Sequence, residues 1–315
     1  MARKKRQALK PWHGAVAVAA VLFILFANLV SRQGLPDFLQ RPADQINSAT
    51  GGLLYPVDVK PALKDLSVHF IDVGQGDSAF IWCGGESMMI DGGPNDSNGK
   101  AEQYVASYGI KTLKYIVPTH PDEDHTGGLN TVVQQLSVQN AIMTDATANT
   151  QTFEQLVTSI KQKHIKVLRA KTGDRYTLGG ATFTIEGPVR EYSDTNDMSI
   201  VIKLQYQNRS FLFTGDAPAT AEADMLATGE DLSADVLKVG HHGSKTATSP
   251  AFLKAVSPRY GIISVGAGNT YGLPNQSVLN RLQAAGVQLF RTDKQGTIVM
   301  QTDGQTITVK TEKAA

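Results

Sequence analysis

Val117–Gly128 reads VPTHPDEDHTGG. His120, Asp122, Asp124 and His125 place four metal-ligand side chains within six residues. They follow a short apolar strand predicted over Tyr115–Pro118, and they precede Gly127-Gly128 and a helix predicted over Leu129–Leu136. A loop at a strand end can turn alternate side chains into one pocket. The i, i+2, i+4, i+5 spacing lets two of the four face one ion and two face another. Imidazole with carboxylate suits zinc, manganese or iron better than magnesium or calcium. An acidic loop that caps the next helix is the ordinary alternative, since Asp is favourable at a helix N-terminus. One Asp would satisfy that alternative, whereas four ligand-type residues around one turn repel one another without a cation.

Outward from this loop the chain alternates strands and helices. Strands are predicted at Leu66–Asp72, Ala79–Trp82 and Ser87–Ile90 before it. After it come Ala141–Met143, Lys166–Leu168, Ala181–Ile185, a hairpin of Ser199–Tyr206 with Ser210–Thr214, then Val236–Val239 and Gly261–Val265. Helices are predicted at Ala101–Tyr108, Phe153–Lys163, Thr220–Ala227 and Ser277–Ala285, and Asp303-Gly304 marks a last hairpin. Two mixed sheets packed face to face, with helices outside, bury such a pattern. Two further groups carry chemistry. Asp216 ends a strand in FTGD, where turn chemistry alone explains a Gly-Asp equally well. His241 and His242 follow a strand in GHHGS. Adjacent residues leaving a strand point opposite ways. One of them, His241 in first place, is therefore expected to reach an ion, and the other to contact substrate or act as a general acid. Gly243-Ser244, beside Lys245, can present backbone N–H groups to an anion.

HPDEDH followed by TGG resembles the HxHxDH signature of the metallo-β-lactamase superfamily, with Asp122 at the second His. Six further segments occur in order: FIDVGQGDSAFI (70–81), DGGP (91–94), NDMSIVIKL (196–204), FLFTGDA (211–217), VLKVGHHGSKTATS (236–249) and NTYGLP (269–274). Together they are similar to the metallo-hydrolase domain of the ComEC-like competence proteins, over residues 66–312. The resemblance implies an α/β fold, a four-layered αββα sandwich with a metal site at one edge of its two sheets. It implies a pair of divalent ions, zinc or manganese. His120 and Asp122 would hold one, Asp124, His125 and His241 the other, and Asp216 would bridge them. Asp124 and His242 would carry catalytic roles, and Asp91 would orient a ligating imidazole. Asp77 falls near the site, where a turn after Gly76 explains it as well. The superfamily's third His is missing, and Asn196-Asp197 lies roughly there. The usual YGHP reads Tyr271-Gly272-Leu273-Pro274, which removes one His and with it the acid or substrate contact expected at that position; Tyr271, with Ser244 and Lys245 beside the His pair, is a candidate substrate contact. The implied reaction is hydrolysis by a water held between two ions, its pKa lowered toward neutrality. The implied substrate is a phosphodiester, with DNA as a candidate. A small cell-envelope ester, such as a phosphorylcholine ester or a lactone, is the alternative. A non-catalytic DNA-uptake accessory protein is the third reading.

Composition bounds these readings. The chain has 315 residues, 41% hydrophobic, and one cysteine, Cys83. That excludes a disulfide framework and any multi-cysteine metal site within one chain. No P-loop or Rossmann glycine loop occurs, so no nucleotide cofactor is expected. Arg3, Lys4, Lys5, Arg6 and Lys10 precede an uncharged apolar run, Gly14–Val30. Such a run can just span a bilayer, and the positive-inside rule keeps its N-terminus cytoplasmic. The expected organisation is a basic tail (1–13), a transmembrane anchor or signal segment (14–30), a Pro- and Gly-punctuated linker (31–65) and an extracytoplasmic hydrolase domain (66–315), secreted if the segment is cleaved. Beyond the tail, 25 basic residues stand against 29 acids. That balance does not support a strongly basic nucleic-acid module.

Overall fold

Phe211-Leu212-Phe213 shows how the interior is made. Successive side chains of a strand point to opposite faces; the two rings turn into the space between the sheets, and Leu212 turns outward under helices. The computed structural model describes residues 61–97 and 99–314. The predicted basic tail, the 14–30 segment and most of the 31–65 linker lie outside the described residues. Among those described, no helix is long and apolar enough to cross a membrane.

The first sheet contains β1 (Leu66–Phe70), β2 (Ala79–Cys83), β3 (Glu86–Ile90), β4 (Thr112–Val117), β5 (Ser137–Met143) and β6 (Lys166–Arg169), with β14 (Ile298–Thr302) and β15 (Ile307–Thr311) added beyond β1. The second sheet runs β13-β12-β11-β10-β9-β8-β7. Its strands are β7 (Arg175–Leu178), β8 (Ala181–Gly187), β9 (Val201–Tyr206), β10 (Arg209–Phe213), β11 (Val236–Lys238), β12 (Tyr260–Ile263) and β13 (Gln288–Arg291). Helices α1 (Lys100–Ser107), α2 (Glu123–Gln135) and α3 (Gln151–Gln162) cover the outer face of the first sheet. Helices α4 (Ala219–Ala227), α5 (Pro250–Val256) and α6 (Gln276–Ala284) cover the second. Between the sheets, Phe70 stacks on Phe213 with ring centroids 5.8 Å apart. The order of layers is therefore α, β, β, α.

Each sheet has a parallel half: β3 to β6 in the first, β10 to β13 in the second. In parallel sheets, sites form beyond the carboxyl ends of the strands. Asp91 follows β3, His120 follows β4, Asp216 follows β10, and the His241-His242 pair follows β11. The topology thus delivers four separated segments to one edge.

Three sequence expectations are corrected here. Asp124 and His125 are not on a loop, because α2 begins at Glu123 instead of near Leu129. Gly127-Gly128 look like helix breakers, yet they are what lets α2 dock. A Cβ at Gly128 would lie 2.0 Å from the carbonyl oxygen of Gly92, and one at Gly127 2.3 Å from the amide of Asn95. The Gly92 N–H donates to the carbonyl of His125 (2.7 Å) and the Gly128 N–H to the carbonyl of Gly93 (2.8 Å). Second, β7, α5 and β13 were absent from the sequence reading. Third, the adjacent histidines do not point opposite ways, for a reason given next.

Candidate metal centre

Asp122 occupies the N-cap position of α2 but makes no capping hydrogen bond. Its Oδ2 stands 3.7 Å from His120 Nε2 instead, and its Oδ1 accepts from the Thr195 hydroxyl at 3.2 Å. The helix-capping explanation of this acid therefore does not hold. One turn into α2, Asp124 and His125 face the same space.

The imidazoles are held so that each offers Nε2. Asp91, in a left-handed conformation (φ 56°), accepts from the backbone N–H of Thr119 (2.8 Å), the Thr119 hydroxyl (2.9 Å) and His125 Nδ1 (2.9 Å). The Thr119 hydroxyl has one proton and gives it to Asp91, so it accepts from His120 Nδ1 at 3.1 Å. His242 Nδ1 lies 2.9 Å from the Ser264 carbonyl and 3.2 Å from Asp77 Oδ1, both acceptors. With Nδ1 occupied in all three rings, the neutral form of each carries its lone pair at Nε2. His125 Nε2 is 3.4 Å from Asp216 Oδ1, and His242 Nε2 is 3.2 Å from Asp124 Oδ2 and 3.5 Å from Asp216 Oδ2.

The Nε2 atoms of His120, His125 and His242 and Oδ1 of Asp216 are all buried and lack a hydrogen-bond partner. Leaving such groups unpaired costs about 1–3 kcal/mol each. A cation removes that cost, so the donor set fits a metal. Four overlapping trios have their ligand atoms within 4.8 Å of one another: His120, His125 and Asp216; Asp124, His125 and His242; Asp77, Asp216 and His242; and Asp77, Asp91 and His125. The electrostatics agree. Burial opposes charge on His125, but Asp216 and Asp91 outweigh it and raise its pKa well above the ordinary value. His242 is pushed up to about 10 against the same burial penalty, by Asp216 and Asp77. Asp216, although burial alone would raise it, is held well below the usual carboxylate range by His242 and His125. The pocket is set to hold positive charge, whether protons or metal.

His241, His242 and Gly243 have φ values of 48°, 52° and 82°. Two non-glycine residues in this left-handed region cost roughly 1–2 kcal/mol each. The turn keeps both imidazoles on one side: His241 Nε2 is also 3.5 Å from Asp216 Oδ2. The expectation that only one His faces the site fails because the chain leaves β11 in this turn, not in extended form. The preference for His241 as ligand shifts too. His242 is buried and belongs to the ligand-distance trios, whereas the His241 side chain is 29% exposed and opens toward solvent.

A cleft of about 640 Å³ opens over the cluster. Asp122, Glu123, Asp124, Asp216, His241 and His242 line it, with Gln75, Lys100, Tyr271 and Leu273. Tyr271 is 73% exposed. Leu273, at the usual His position, lines the cleft and packs on the helical side of the second sheet. Ser244 and Lys245 do not line it; Ser244 Oγ bonds Thr246 Oγ1 (2.9 Å), and Lys245 is exposed. Asn196 Oδ1 is buried and without a hydrogen-bond partner, and its neighbour Thr195 is the residue that reaches Asp122. Sequence reading did not single out Thr119, Thr195, Lys238 or Glu222. Glu222, fully buried, accepts from the N–H groups of Thr248 and Ser249 and so anchors the loop that carries the His pair.

The family model described as the metallo-beta-lactamase superfamily matches residues 71–267. The chain belongs to the metallo-β-lactamase superfamily. Within the superfamily it resembles competence proteins. It is 28% identical over 273 residues to ComE operon protein 3 of Bacillus subtilis (strain 168), covering 79% of this chain and 35% of that one. It is 29% identical over 239 residues to competence protein ComA of Neisseria gonorrhoeae, covering 75% and 32%. The chain thus spans about a third of the length of these relatives. Among solved structures, CmlA, a diiron beta-hydroxylase from Streptomyces venezuelae, matches with a TM-score of 0.53 at 12% identity, over 77% of this chain and 55% of that one. That likeness concerns the metallo-β-lactamase fold alone.

Proposed function

We propose that this chain is a membrane-tethered, extracytoplasmic hydrolase that uses two divalent cations, zinc or manganese, to cleave phosphodiesters, with DNA as the favoured substrate. The observation that carries it is the convergence of three unpartnered imidazole nitrogens and the Asp216 carboxylate beneath an open cleft. Asp124, His125 and His242 would hold one ion, His120 and Asp122 the other, and Asp216 would span both. Bound there, such ions supply Lewis acidity toward a phosphoryl oxygen and activate water for attack. The protein's own part is orientation. Asp91, Thr119 and the Ser264 carbonyl keep each imidazole in the ligating tautomer. His241, nearest to solvent of the four histidines, is placed to give a proton to the leaving oxygen. Tyr271 offers an exposed ring at the cleft on which a base or other flat group can pack. The competence relatives support DNA as the substrate class, and the basic tail followed by the 14–30 run supports tethering.

A second reading has one observation in its favour. Glu123 and Asp122 share the cleft with Tyr271, a combination that suits a quaternary ammonium and hence a phosphorylcholine ester.

The test uses the full chain in detergent, loaded with manganese or zinc. Plasmid, single-stranded DNA, bis-p-nitrophenyl phosphate and p-nitrophenyl phosphorylcholine are offered in parallel, with His120→Ala and Asp216→Ala as controls. Cleavage of DNA and the bis-ester, lost in both controls, is expected. Turnover of the choline ester alone moves the assignment to the second reading. Two bound metals with no turnover of any substrate would falsify the hydrolase assignment. Resistance of the protein to alkaline carbonate extraction checks the tether.

A further inference from the structure

Lys238 closes β11 with its side chain buried between the sheets. Its ammonium lies 2.6 Å from Asp77 Oδ2 and donates to the Val239 carbonyl at 3.0 Å. Its strand partners are Phe213 on β10 and Ile262 on β12, and the stacked pair of Phe70 and Phe213 is adjacent. Desolvating an ammonium costs several kcal/mol, and an apolar side chain of similar volume in such a place is often neutral or stabilising. Packing alone therefore does not explain a lysine here. A staple between the sheets is one use, since Asp77 precedes β2 of the first sheet and Lys238 belongs to the second.

The other oxygen of Asp77 suggests a more specific use. Asp77 Oδ1 lies 3.2 Å from His242 Nδ1. The two imidazoles that face Asp216 are thus backed differently. His125 leans on Asp91, whose oxygens are already held by the N–H and O–H of Thr119, both neutral donors. His242 Nδ1 donates to the Ser264 carbonyl (2.9 Å), and Asp77 Oδ1, buried and without a hydrogen-bond partner of its own, backs the same nitrogen at 3.2 Å, set there by a buried cation. Asp77 is also tied at its backbone: its N–H donates to the Asp124 carbonyl (3.1 Å), and its own carbonyl accepts from Gly93 (2.8 Å). Only its carboxylate is free to turn, and Lys238 is what stops it.

We propose that Lys238 is a positioning residue of the metal centre: its ion pair with Asp77 fixes the carboxylate that stands against His242 Nδ1 and, together with the Ser264 carbonyl, keeps that nitrogen protonated and Nε2 presented to the cation. This rests on the reading of His242 as a ligand. Nothing in it requires Lys238 to touch metal or substrate.

The test measures zinc alone, on the full chain. Lys238→Met leaves a buried carboxylate unpaired and is expected to destabilise. Lys238→Met/Asp77→Asn removes both charges and keeps the shape. The double variant is expected to melt near the wild type, yet to bind the second zinc about ten- to a hundredfold more weakly, the usual loss when a ligand's supporting partner is removed. Nitrogen-15 NMR of the zinc-loaded wild-type protein is expected to show His242 protonated at Nδ1 alone. A double variant that binds both ions with wild-type affinity makes the pair only a staple, and the proposal fails. A zinc-loaded wild-type His242 protonated at Nε2, with Nδ1 bare, overturns it even if neither variant folds. Failure of the underlying reading looks different: His242→Ala would then still take up two zinc ions.

Discussion

Asp216 faces three imidazoles: Oδ1 is 3.4 Å from His125 Nε2, and Oδ2 is 3.5 Å from the Nε2 atoms of both His241 and His242. No other carboxylate of the cluster meets so many, so a change of one oxygen to an amide here tests the whole arrangement. Asp216→Asn keeps the volume and removes the charge. The expected outcome is loss of at least one of two bound zinc ions by elemental analysis, and a fall in turnover of about a hundredfold or more. Much of this site was legible, because four ligand-type residues in six positions have no cheap explanation other than a cation. The supporting residues were not. Thr195 is an unremarkable hydroxyl until folding brings it to Asp122. Lys238 did leave a signal: a lysine inside the apolar run VLKV must be paired if that strand is central. A second residue-scale prediction concerns His69, far from the ligands in sequence and on the helical side of β1. It is fully buried, with Nδ1 2.8 Å from the Tyr104 hydroxyl. Burial lowers its pKa from 6.5 to about 3. The unfolded chain then binds more protons than the folded one between those values, so stability is lost as pH falls through that window, at up to about 1.4 kcal/mol per unit. His69→Phe should flatten this part of the acid limb in urea titrations run from pH 6.5 to 3.5. Parallel curves for the two proteins would remove His69 from the account.

At the scale of elements, the metal loop is positioned by one close backbone contact. Helix α2 presses Gly127 and Gly128 onto the Gly92–Asn95 segment, and this places His125 against Asp91 and Asp124 toward His242. Intrinsic propensity says that Gly128→Ala should stabilise a helix by about 1 kcal/mol. The Cβ would, however, meet backbone, 2.0 Å from the Gly92 oxygen, and backbone cannot move aside cheaply. We expect net destabilisation of about 1–3 kcal/mol, the range typical of overpacking, with weaker zinc binding because His125 shifts with the helix. Chemical denaturation with and without zinc separates the two effects; a stabilised Gly128→Ala protein would refute the docking argument. The same contact explains why the helix start was misread, since two glycines in a row carry the sequence signature of a break. The missing edge elements have another cause. Arg175–Leu178 and Gln288–Arg291 lie at sheet edges and are four residues long: the first alternates polar and apolar over too short a run to mark a strand, and the second does not alternate. Pro250–Val256 was readable in hindsight from local chemistry: Ser249 caps it by accepting from the Phe252 N–H, with Pro250 at the first helical position. The central strands were legible because Phe, Ile, Val and Leu dominate them on both faces, as strands covered by helices on one side and a second sheet on the other must be.

For the whole molecule, the candidate ligands divide between the two halves of the sandwich. His120, Asp122, Asp124 and His125 come from the first sheet's side, and Asp216 and His242 from the second's. A cation shared among them ties the sheets together at the edge where the apolar interior gives way to acids and imidazoles. Without it, like-charged carboxylates converge there and draw protons onto the histidines. Metal binding is therefore linked to folding, because the ligand set exists only once both sheets are assembled. A ligand held by the folded state alone stabilises it by about 2.7 kcal/mol at a hundredfold excess over its Kd. For a domain of this size that corresponds to roughly 5–10 °C in Tm per site. Zinc titrated into chelator-treated protein should raise the melting temperature by that amount, and excess chelator should reverse it. Asp216→Asn should show a clearly smaller rise, because the residue that joins the two halves has lost its charge. Should zinc bind stoichiometrically and leave the melting temperature unmoved, the ions sit somewhere that does not depend on the two sheets meeting, and the cluster built around Asp216 is not where they are held.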